Sequence, residues 1–524
     1  MSKVVSAEEA VSHIRDGAVI AINGMLYLGQ SKPFYEALEK RYLTTGSPKR
    51  LTIYGALGLG HTQARGTPPD LVNRLAHKGL VTKIIDSHFG SFVEFTDMIE
   101  NNEIEAYIAT QGVMAENLHC AARKAPGAIT QIGLKTFVDP RYGGGALNRI
   151  SKDRLSEIMT IDGEEYLFFK TICPDVCVVR GTTADLNGNI TCEKEATLFD
   201  PLVHVQAVKN NGGVVIVQVE RLGGSYADPK IVKIPGKLID YIIVDPKQKQ
   251  MNTGDYNGYY TGEVRASKEA ILDSMKALID SAENPENRRP VGDRIIARRA
   301  ALEIQKDDIV NLGLGIPMNV GVELTTMGRL GLDDFSFTVE VGTFGGVPAG
   351  DAFFGASVNT DMIFNQWEQF EFYQGGGIDI TFVGAMQVGA GGNVNVVGVN
   401  NKIKGVGGFN YVTQMAGRVT FCTKFLSGSG YTKAENGLIP YDKGICKFAK
   451  ETDYISFNSE IAIKNKQRVI YVTERCVFEL TDEGLMLTEL SPYVDLEKDI
   501  LAHLDYKPLI SKDLKKMDEI CFRV

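Results

Sequence analysis

The sequence contains few of the residues that usually bind metals or form disulfides. It has eight cysteines and seven histidines among 524 residues. The two cysteines with the shortest gap, Cys173 and Cys177, have no second pair beside them, so we interpret the cysteines as free thiols. No His-Glu-x-x-His motif occurs, and no two histidines have the spacing of ligands on one helix face. We therefore expect no disulfide framework and no bound metal.

Long apolar runs are also missing. No run approaches the roughly 18 residues that a membrane-spanning helix requires. Residues 1–17 lack the apolar segment of a signal peptide, and Ser6 and Glu9 instead predict the capped start of a short helix. A formal net charge of −9 argues against general nucleic-acid binding. With 44% hydrophobic and 23% charged residues, we expect a soluble, cytoplasmic, globular chain that contacts neither membrane nor nucleic acid.

Glycine, by contrast, is abundant, with 55 residues against only 18 prolines. The glycine clusters lie at the ends of predicted strands rather than in a linker, at residues 143–145, 342–350, 375–377 and 405–408. A glycine at a strand end allows a sharp turn or a close approach of the backbone to a ligand. These clusters are therefore the first indication of a binding site.

Two stretches of the chain match at a constant offset of 204 residues. Each stretch is typical of a strand, a Gly-Asn turn, a second strand and, after a glycine, a third strand. The matching pairs are Asp175 with Asp379, Val179 with Val383, Gly188 with Gly392 and Asn189 with Asn393. Short β-branched runs alternate with helical stretches, as in parallel sheets covered by helices. We predict an α/β fold of two similar open domains with mostly parallel sheets, fused in tandem.

A polar segment near the middle of the chain predicts the boundary between the halves. Residues 281–290 contain two prolines, mixed charge and no large apolar residue. We place the N-terminal domain at residues 1–280, a linker at 281–292 and the C-terminal domain at 293–524. Because ligands bind at the carboxyl ends of strands in such sheets, we expect the site between the halves.

Two familiar catalytic motifs are incomplete. Residues 24–31 resemble a phosphate-binding P-loop, but Gln30 occupies the position of the lysine that contacts the outer phosphates. The segment 355–359 resembles the nucleophile elbow around Ser357, but Asn359 replaces its last glycine and His503 is the one histidine that follows. A nucleotide triphosphatase and a serine hydrolase are therefore both disfavoured.

Glu340 is the strongest candidate for covalent chemistry. Apolar and polar residues alternate over 335–341, which predicts a strand and by itself also fits a solvated glutamate on a half-exposed face. A glycine-rich turn at 342–350 follows directly. A carboxylate at a strand end beside flexible backbone N–H groups has the arrangement of a nucleophile with an oxyanion site.

These residues resemble the active-glutamate motif of class I CoA-transferases, with most similarity to the single-chain acetate and propionate CoA-transferases. The resemblance spans nearly the whole chain, and the motifs occur in the family's order. They are residues 110–112, 139–145, 339–350, 354–359, 375–379, 384–388 and 405–409.

The resemblance implies a fused pair of α- and β-type domains and a ping-pong transfer of CoA between short-chain carboxylic acids. Glu340 would carry a γ-glutamyl-CoA thioester, Gly407 and Gly408 would lend a backbone N–H to the oxyanion, and Gln111 would lie near the acyl group. Elements expected to contact CoA are Gly313, Gly315, Asn359, Gly384 and Gly405. Acyl-CoA and carboxylates would be the substrates of a homo-oligomer, a dimer or tetramer, without any further cofactor.

One departure from the family's pattern concerns the acyl group. Asn23 stands where many members have a glycine pair, and Met25, Leu26 and Tyr27 follow it. The family pattern therefore does not predict which acyl group the pocket prefers. Two other functions also remain open. One is an acyl-CoA hydrolase that uses Glu340 with water or Ser357 as an esterase nucleophile, and the other is a non-catalytic acyl-CoA-binding protein.

Overall fold

The computed structural model describes residues 3–60, 68–251, 256–273, 290–350, 353–400, 402–435 and 437–523. Residues 281–289, most of the predicted linker, lie outside the described residues, and the domain boundaries stay a prediction. The chain forms two compact units. The first contains Met1–Arg265, Glu340–Glu371 and Asn401–Tyr411, and the second contains Ala266–Val339, Phe372–Asn400 and Val412–Val524.

An eight-stranded sheet forms the centre of the first unit, and all its neighbouring strands pair in parallel. In sheet order the strands are Val4–Val5, Tyr241–Val244, Val214–Val219, Val176–Arg180, Val19–Ile22, Leu51–Gly55, Val81–Asp86 and Glu105–Ile108. The strand Val176–Arg180 is buried at every residue. Its first four residues form the continuous apolar run that a parallel strand covered on both faces requires.

The helix Ala7–Ser12 begins where the sequence predicts, because the Ser6 side chain accepts a hydrogen bond from the Glu9 N–H. The helix Lys32–Thr45 begins after Ser31, whose side chain accepts a hydrogen bond from the Phe34 N–H, and it ends at Gly46 in the left-handed conformation. The helices that start in the first unit are Ala7–Ser12, Lys32–Thr45, Thr96–Glu100, Gln111–Ala122, Pro201–Lys209, Gln366–Gln374 and Phe409–Gln414.

The first unit also contains further strands outside the eight-stranded sheet. Its further strands are Gly127–Thr130, Ser156–Ile161, Glu164–Lys170, Thr183–Ala184, Ile190–Thr191, Arg221–Leu222, Thr343–Phe344, Val347–Pro348, Ser357–Val358, Met362–Ile363 and Lys402–Ile403. Single turns of 3₁₀ helix lie at Leu71–Leu75, Val93–Phe95, Pro140–Tyr142, Gly236–Leu238 and Gly258–Tyr260.

The second unit is built around a mixed sheet. In sheet order, the strands of this ten-stranded sheet that belong to the second unit are Ser336–Val339, Ile309–Leu312, Ile380–Gly384, Arg418–Cys422, Arg468–Val472, Cys476–Thr481, Gly484–Leu490 and Leu509–Lys516. The first five of these pair in parallel. Its helices are Val291–Ala301, Asn319–Thr326, Ser459–Lys464 and Leu496–Asp499, with 3₁₀ turns at Ile316–Met318, Leu501–His503 and Glu519–Phe522. Its shorter strands are Gln387–Gly389, Val394–Asn395, Gly398–Val399, Gly430–Ala434, Gly437–Tyr441 and Phe448–Ala449. Within the described ranges, no helix has both the length and the apolarity to cross a bilayer.

The predicted repeat is confirmed strand by strand. The strands Val176–Arg180 and Ile380–Gly384 are 204 residues apart, and so are the starts of Val214–Val219 and Arg418–Cys422. In the first sheet Val176–Arg180 pairs in parallel with Val214–Val219, and in the second sheet Ile380–Gly384 pairs in parallel with Arg418–Cys422. The central strands follow the same order in both sheets, which confirms an α/β fold of two similar, mostly parallel halves.

A buried ion pair supports the loop that follows the strand Val19–Ile22. The guanidinium of Arg180 and the carboxylate of Glu195 are 0% and 4% exposed, with Nη2 and Oε2 2.6 Å apart. The same guanidinium donates to the backbone oxygens of Gln30 and Gln250. Because a buried cation needs compensating partners, Arg180 ties this loop, residues 23–31, to the sheet.

We predict that Arg180→Met destabilises the protein by about 3–5 kcal/mol, because it leaves the buried Glu195 carboxylate without its cation. The measurement is the urea midpoint of unfolding. Arg221→Met is the matched control, since the Arg221 side chain is 46% exposed in its pair with Glu193 and exposed pairs contribute at most about 1 kcal/mol. Equal midpoints for the two variants would contradict this account of the loop.

Candidate active site

Glu340 is the first residue after the strand Ser336–Val339. Phe337, Thr338 and Val339 are all buried, and Glu340 itself is half-buried. The strand is therefore not the half-exposed strand that the alternation alone would allow. Glu340 instead stands at the carboxyl end of a buried strand, where α/β sheets bind their ligands.

The turn after Glu340 requires glycine. At Gly342 the backbone has φ 112°, and a Cβ atom there would lie 2.3 Å from the carbonyl oxygen of Phe364. The Phe364 N–H donates to the Gly342 carbonyl oxygen at 2.7 Å. This close pairing folds the segment back on itself immediately after the glutamate.

A second loop, residues 404–408, packs against the end of the strand Val81–Asp86. The N–H groups of Val406 and Gly407 both donate to the Ser87 carbonyl oxygen at 2.9 Å. Gly405 has φ 104°, and a Cβ atom on it would lie 2.6 Å from Cα of His88. Only glycine fits so close a backbone approach, so the loop is fixed by main-chain contacts.

Asp86 holds the strand end that this loop contacts. Its Oδ1 accepts hydrogen bonds from the N–H groups of Gly58 and His88, at 2.7 and 3.0 Å. The side chain is fully buried, and burial raises the pKa of Asp86 to about 7. Asp86 therefore holds the main chain around Ser87. The Ser87 carbonyl oxygen, in turn, accepts the two N–H groups of the loop at 404–408.

Glu340, Gln111 and Gly408 meet at one point. A Cβ atom built on Gly408 would lie 3.0 Å from Cγ of Glu340 and 3.2 Å from Oε1 of Gln111. The Gln111 N–H, at the start of the helix Gln111–Ala122, donates to the Gly407 carbonyl oxygen at 3.1 Å. Four residues predicted from separate parts of the chain thus lie together in the first unit.

The two glycines of this loop differ in their N–H groups. The Gly407 N–H donates to Ser87, as described above. For the Gly408 N–H the structure records no acceptor among the residues it describes. The backbone N–H of Gly408, unlike that of Gly407, is therefore available to bind a group at Glu340.

The loop after the strand Val19–Ile22 also approaches the glutamate segment. A Cβ atom on Gly355 would lie 2.7 Å from Cε of Met25 and 3.1 Å from both Cδ1 of Leu28 and Cγ2 of Val341. Met25, Leu28 and Val341 are all buried. Since Val341 follows Glu340 directly, apolar side chains of this loop pack beside the candidate nucleophile.

The remaining predicted residues lie elsewhere. Asn359, in the first unit, has φ 61°, and its carbonyl oxygen accepts from Arg265 Nη2 at 3.3 Å. Gly313, Gly315 and Gly384 belong to the second unit, at or just after the carboxyl ends of the adjacent parallel strands Ile309–Leu312 and Ile380–Gly384. A Cβ atom on Gly315 or Gly384 would meet nothing within 4 Å.

Among the residues that the structure describes, no histidine is recorded as a partner of the Ser357 hydroxyl. Its buried hydroxyl lies 3.0 Å from the Thr343 hydroxyl. His503, in the second unit, instead pairs with Asp442 at 3.2 Å. A nucleophilic serine is activated by an adjacent base, so this arrangement disfavours the esterase alternative.

Two residues of the site, Gln366 and Asp86, were not found from the sequence. Gln366 accepts a hydrogen bond from Gln111, and Asp86 holds the strand end beside the loop at 404–408. Asp86 follows a short apolar run, which is a usable signal for a strand-end carboxylate. Gln366 follows no recognisable pattern, because its partner lies 255 residues away.

Comparison with known proteins agrees on one family. The Coenzyme A transferase family model matches residues 4–245 and 294–494. The acetate CoA-transferase YdiF of Escherichia coli O157:H7 is 38% identical over 99% of this chain and 95% of its own. The caffeate CoA-transferase of Acetobacterium woodii is 37% identical over 100% of this chain and 98% of its own.

Solved structures are similar over the same length. The crystal structure of the acyl-CoA transferase YdiF apoenzyme from Escherichia coli O157:H7 has a TM-score of 0.90 and 36% identity, covering 99% of this chain and 96% of that one. A crystal structure of the YdiF thioester complex with CoA has a TM-score of 0.89 at the same identity and the same coverage.

We predict that Gly405→Ala lowers acyl-CoA turnover by about a hundredfold, because displacement of a catalytic loop by about 1 Å has effects of this size. The new methyl group would collide with His88 and shift Gly408 away from Glu340. Steady-state kinetics on folded protein is the measurement. Gly224→Ala is the control, since nothing lies within 4 Å of its Cβ position. Wild-type turnover in Gly405→Ala would refute the role of the backbone contact.

Proposed function

The chain belongs to the Coenzyme A transferase family, and from this premise we propose that it transfers CoA through a covalent thioester on Glu340. The chain is a CoA-transferase, an enzyme of the sulfur-group-transferring class. The observation that carries the proposed mechanism is the meeting of the Glu340 side chain with Gly408 and Gln111. It brings a carboxylate, a backbone donor and a buried amide to one point.

In the first half-reaction a carboxylate oxygen of Glu340 attacks the thioester carbon of the acyl-CoA. The C–S bond breaks, CoA leaves as a thiolate, and a mixed anhydride joins the acyl group to Glu340. The thiolate then attacks Cδ of Glu340 and breaks its bond to the bridging oxygen. The first acid leaves as a carboxylate, and CoA remains as a thioester on the glutamate.

The second half-reaction is the reverse with another acid. The incoming carboxylate attacks Cδ of Glu340 and expels the thiolate, which then attacks the new acyl carbon and releases the Glu340 carboxylate. No water, proton or electron is consumed, so we propose that the reaction uses CoA as a substrate and no further cofactor. CoA binding energy is available at each step because CoA stays bound throughout.

The site is suited to these steps because buried side chains pack beside Glu340 and one oriented donor is available. Anhydrides and thioesters hydrolyse in water, so a closed site protects them. Gln111, Met25 and Leu28 are 0–2% exposed. We propose that the Gly408 N–H stabilises the oxyanion on Glu340 Cδ, since the Gly407 N–H already donates to Ser87.

We propose short-chain carboxylic acids as the acyl groups. The support is the buried packing of Met25 and Leu28 against Gly355 and Val341, which leaves bulky apolar side chains beside the glutamate. The two named relatives act on acetate and on caffeate at nearly equal identity. Sequence identity therefore does not choose between a small and an aromatic acid, and the packing is the better argument.

The remaining proposals concern binding and assembly. We propose that CoA contacts Gly313, Gly315, Asn359, Gly384 and Gly405. All eight cysteines are free, which agrees with a reducing compartment such as the cytoplasm.

We also propose a homo-oligomer, a dimer or tetramer. Leu186, Leu222 and Tyr226 are 47, 44 and 67% exposed. The Leu186 N–H donates to the Ser225 carbonyl oxygen, so Leu186 lies beside the loop that carries Tyr226. Exposed apolar residues grouped in this way are common at subunit interfaces.

We predict that Glu340→Ala lowers CoA transfer by at least about a thousandfold, the usual consequence of removing a covalent nucleophile. The measurement is the appearance of labelled acetyl-CoA from labelled acetate and propionyl-CoA. Ser357→Ala is the control and is expected to keep most of the transfer. Glu340→Gln is expected to bind CoA normally without turnover.

Three results would contradict this proposal. Full transfer by Glu340→Ala would remove Glu340 from the mechanism. Release of CoA that does not depend on an acceptor acid would indicate a hydrolase. Binding of acyl-CoA by the wild type with neither exchange nor hydrolysis would indicate a binding protein.

A further inference from the structure

Gln111 is held by a second glutamine on the side away from the loop at 404–408. Its Nε2 donates to Oε1 of Gln366 at 3.2 Å, and both side chains are buried. Oε1 of Gln111 has no hydrogen-bond partner among the residues that the structure describes. The same oxygen lies against Gly408, beside Cγ of Glu340.

The two ends of a carboxamide are chemically different, because the nitrogen only donates and the oxygen only accepts. Once Gln366 accepts from the Gln111 nitrogen, the Gln111 oxygen is the end that faces Glu340. An oxygen cannot donate to a developing oxyanion. This orientation therefore assigns the donating role to the Gly408 N–H and makes Gln111 an acceptor.

Gln366 is itself fixed by a segment of the first unit. Its N–H donates to the Phe199 carbonyl oxygen at 2.9 Å, and the next N–H, that of Trp367, donates to Oδ1 of Asp200 at 3.1 Å. The Asp200 N–H donates in turn to Oδ1 of Asn23 at 3.0 Å. A chain of hydrogen bonds thus runs from the loop at 23–31 to Gln366.

We propose that Gln366 is a positioning residue for CoA transfer. Its carboxamide oxygen binds Gln111 Nε2 and keeps Gln111 Oε1 directed at the Glu340 side of the site. It acts through Gln111 and does not itself contact the reacting atoms. This inference rests on the proposed function, since it assumes that thioester formation at Glu340 is the step that the orientation serves.

The test compares Gln366→Met with the wild type in the full chain. Methionine has a similar volume but offers no strong acceptor, so Gln111 loses its fixed orientation. We expect kcat to fall about tenfold, because a group that shifts beside the reacting atoms lowers the rate of the chemical step, with KM for acyl-CoA nearly unchanged. If kcat and the melting temperature fall together, and KM changes along with kcat, the role of Gln366 is merely structural.

A double-mutant cycle isolates the route through Gln111. If Gln366 acts through Gln111, Gln366→Met has no further effect in the Gln111→Met background. Multiplication of the two effects would overturn the proposal. Gln369→Met is the matched control, because Gln369 lies on the same helix, is 0% exposed, and its amide atoms have no partner among the described residues. Its turnover is expected to stay within twofold of the wild type.

The conservative variant Gln366→Glu provides a second test, whose measurement is the pH dependence of turnover. An ionised carboxylate still accepts from Gln111 Nε2, so turnover is expected to recover relative to Gln366→Met at high pH. As pH falls, the carboxyl gains a proton and becomes a donor, so turnover falls relative to the wild type at the same pH. A pH profile parallel to that of the wild type would count against the proposal.

Failure of this inference is distinguishable from failure of the proposed function. One experiment tests both. The enzyme is mixed with acyl-CoA under single-turnover conditions, and the glutamyl-CoA adduct is quantified by mass spectrometry. No adduct in the wild type would refute the proposed function. An adduct that forms equally fast in the wild type and Gln366→Met would refute only the role of Gln366.

Discussion

The whole site depends on one close contact between two stretches of main chain. The loop at 404–408 lies against Ser87–Gly90 with no space for a side chain at Gly405, and four backbone hydrogen bonds to the carbonyl oxygens of Ser87 and Lys404 join them. This contact fixes the carbonyl oxygen of Gly407, which receives the first N–H of the helix Gln111–Ala122.

The chemistry follows from which hydrogen-bonding groups this contact uses and which it leaves. The Gly407 N–H is occupied by Ser87, whereas the Gly408 N–H points to no recorded acceptor in the described chain. The Gln111 nitrogen is occupied by Gln366, and the Gln111 oxygen is not. The proposed nucleophile Glu340 thus lies beside one backbone donor, the Gly408 N–H, which can stabilise the oxyanion that forms on Cδ.

Much of the fold was predictable because it is repeated. The offset of 204 residues placed Val176–Arg180 and Ile380–Gly384 at equivalent positions, and β-branched runs identified both as buried parallel strands. The position of Glu340 at the end of a strand was also predictable, since a glycine-rich turn follows it directly. The contribution of Gln366 was not, because a hydrogen bond across 255 residues depends on tertiary packing rather than on local pattern. The difference between Gly407 and Gly408 likewise required the position of Ser87, which no spacing rule predicts.

The most direct test of the central claim is intact-protein mass spectrometry after mixing the enzyme with acetyl-CoA and no acceptor acid. The account predicts a mass increase of one CoA less one water, mapped to Glu340 after borohydride trapping. An unmodified mass with free CoA accumulating would contradict the account, because it would mean that water, and not the glutamate, takes the acyl group.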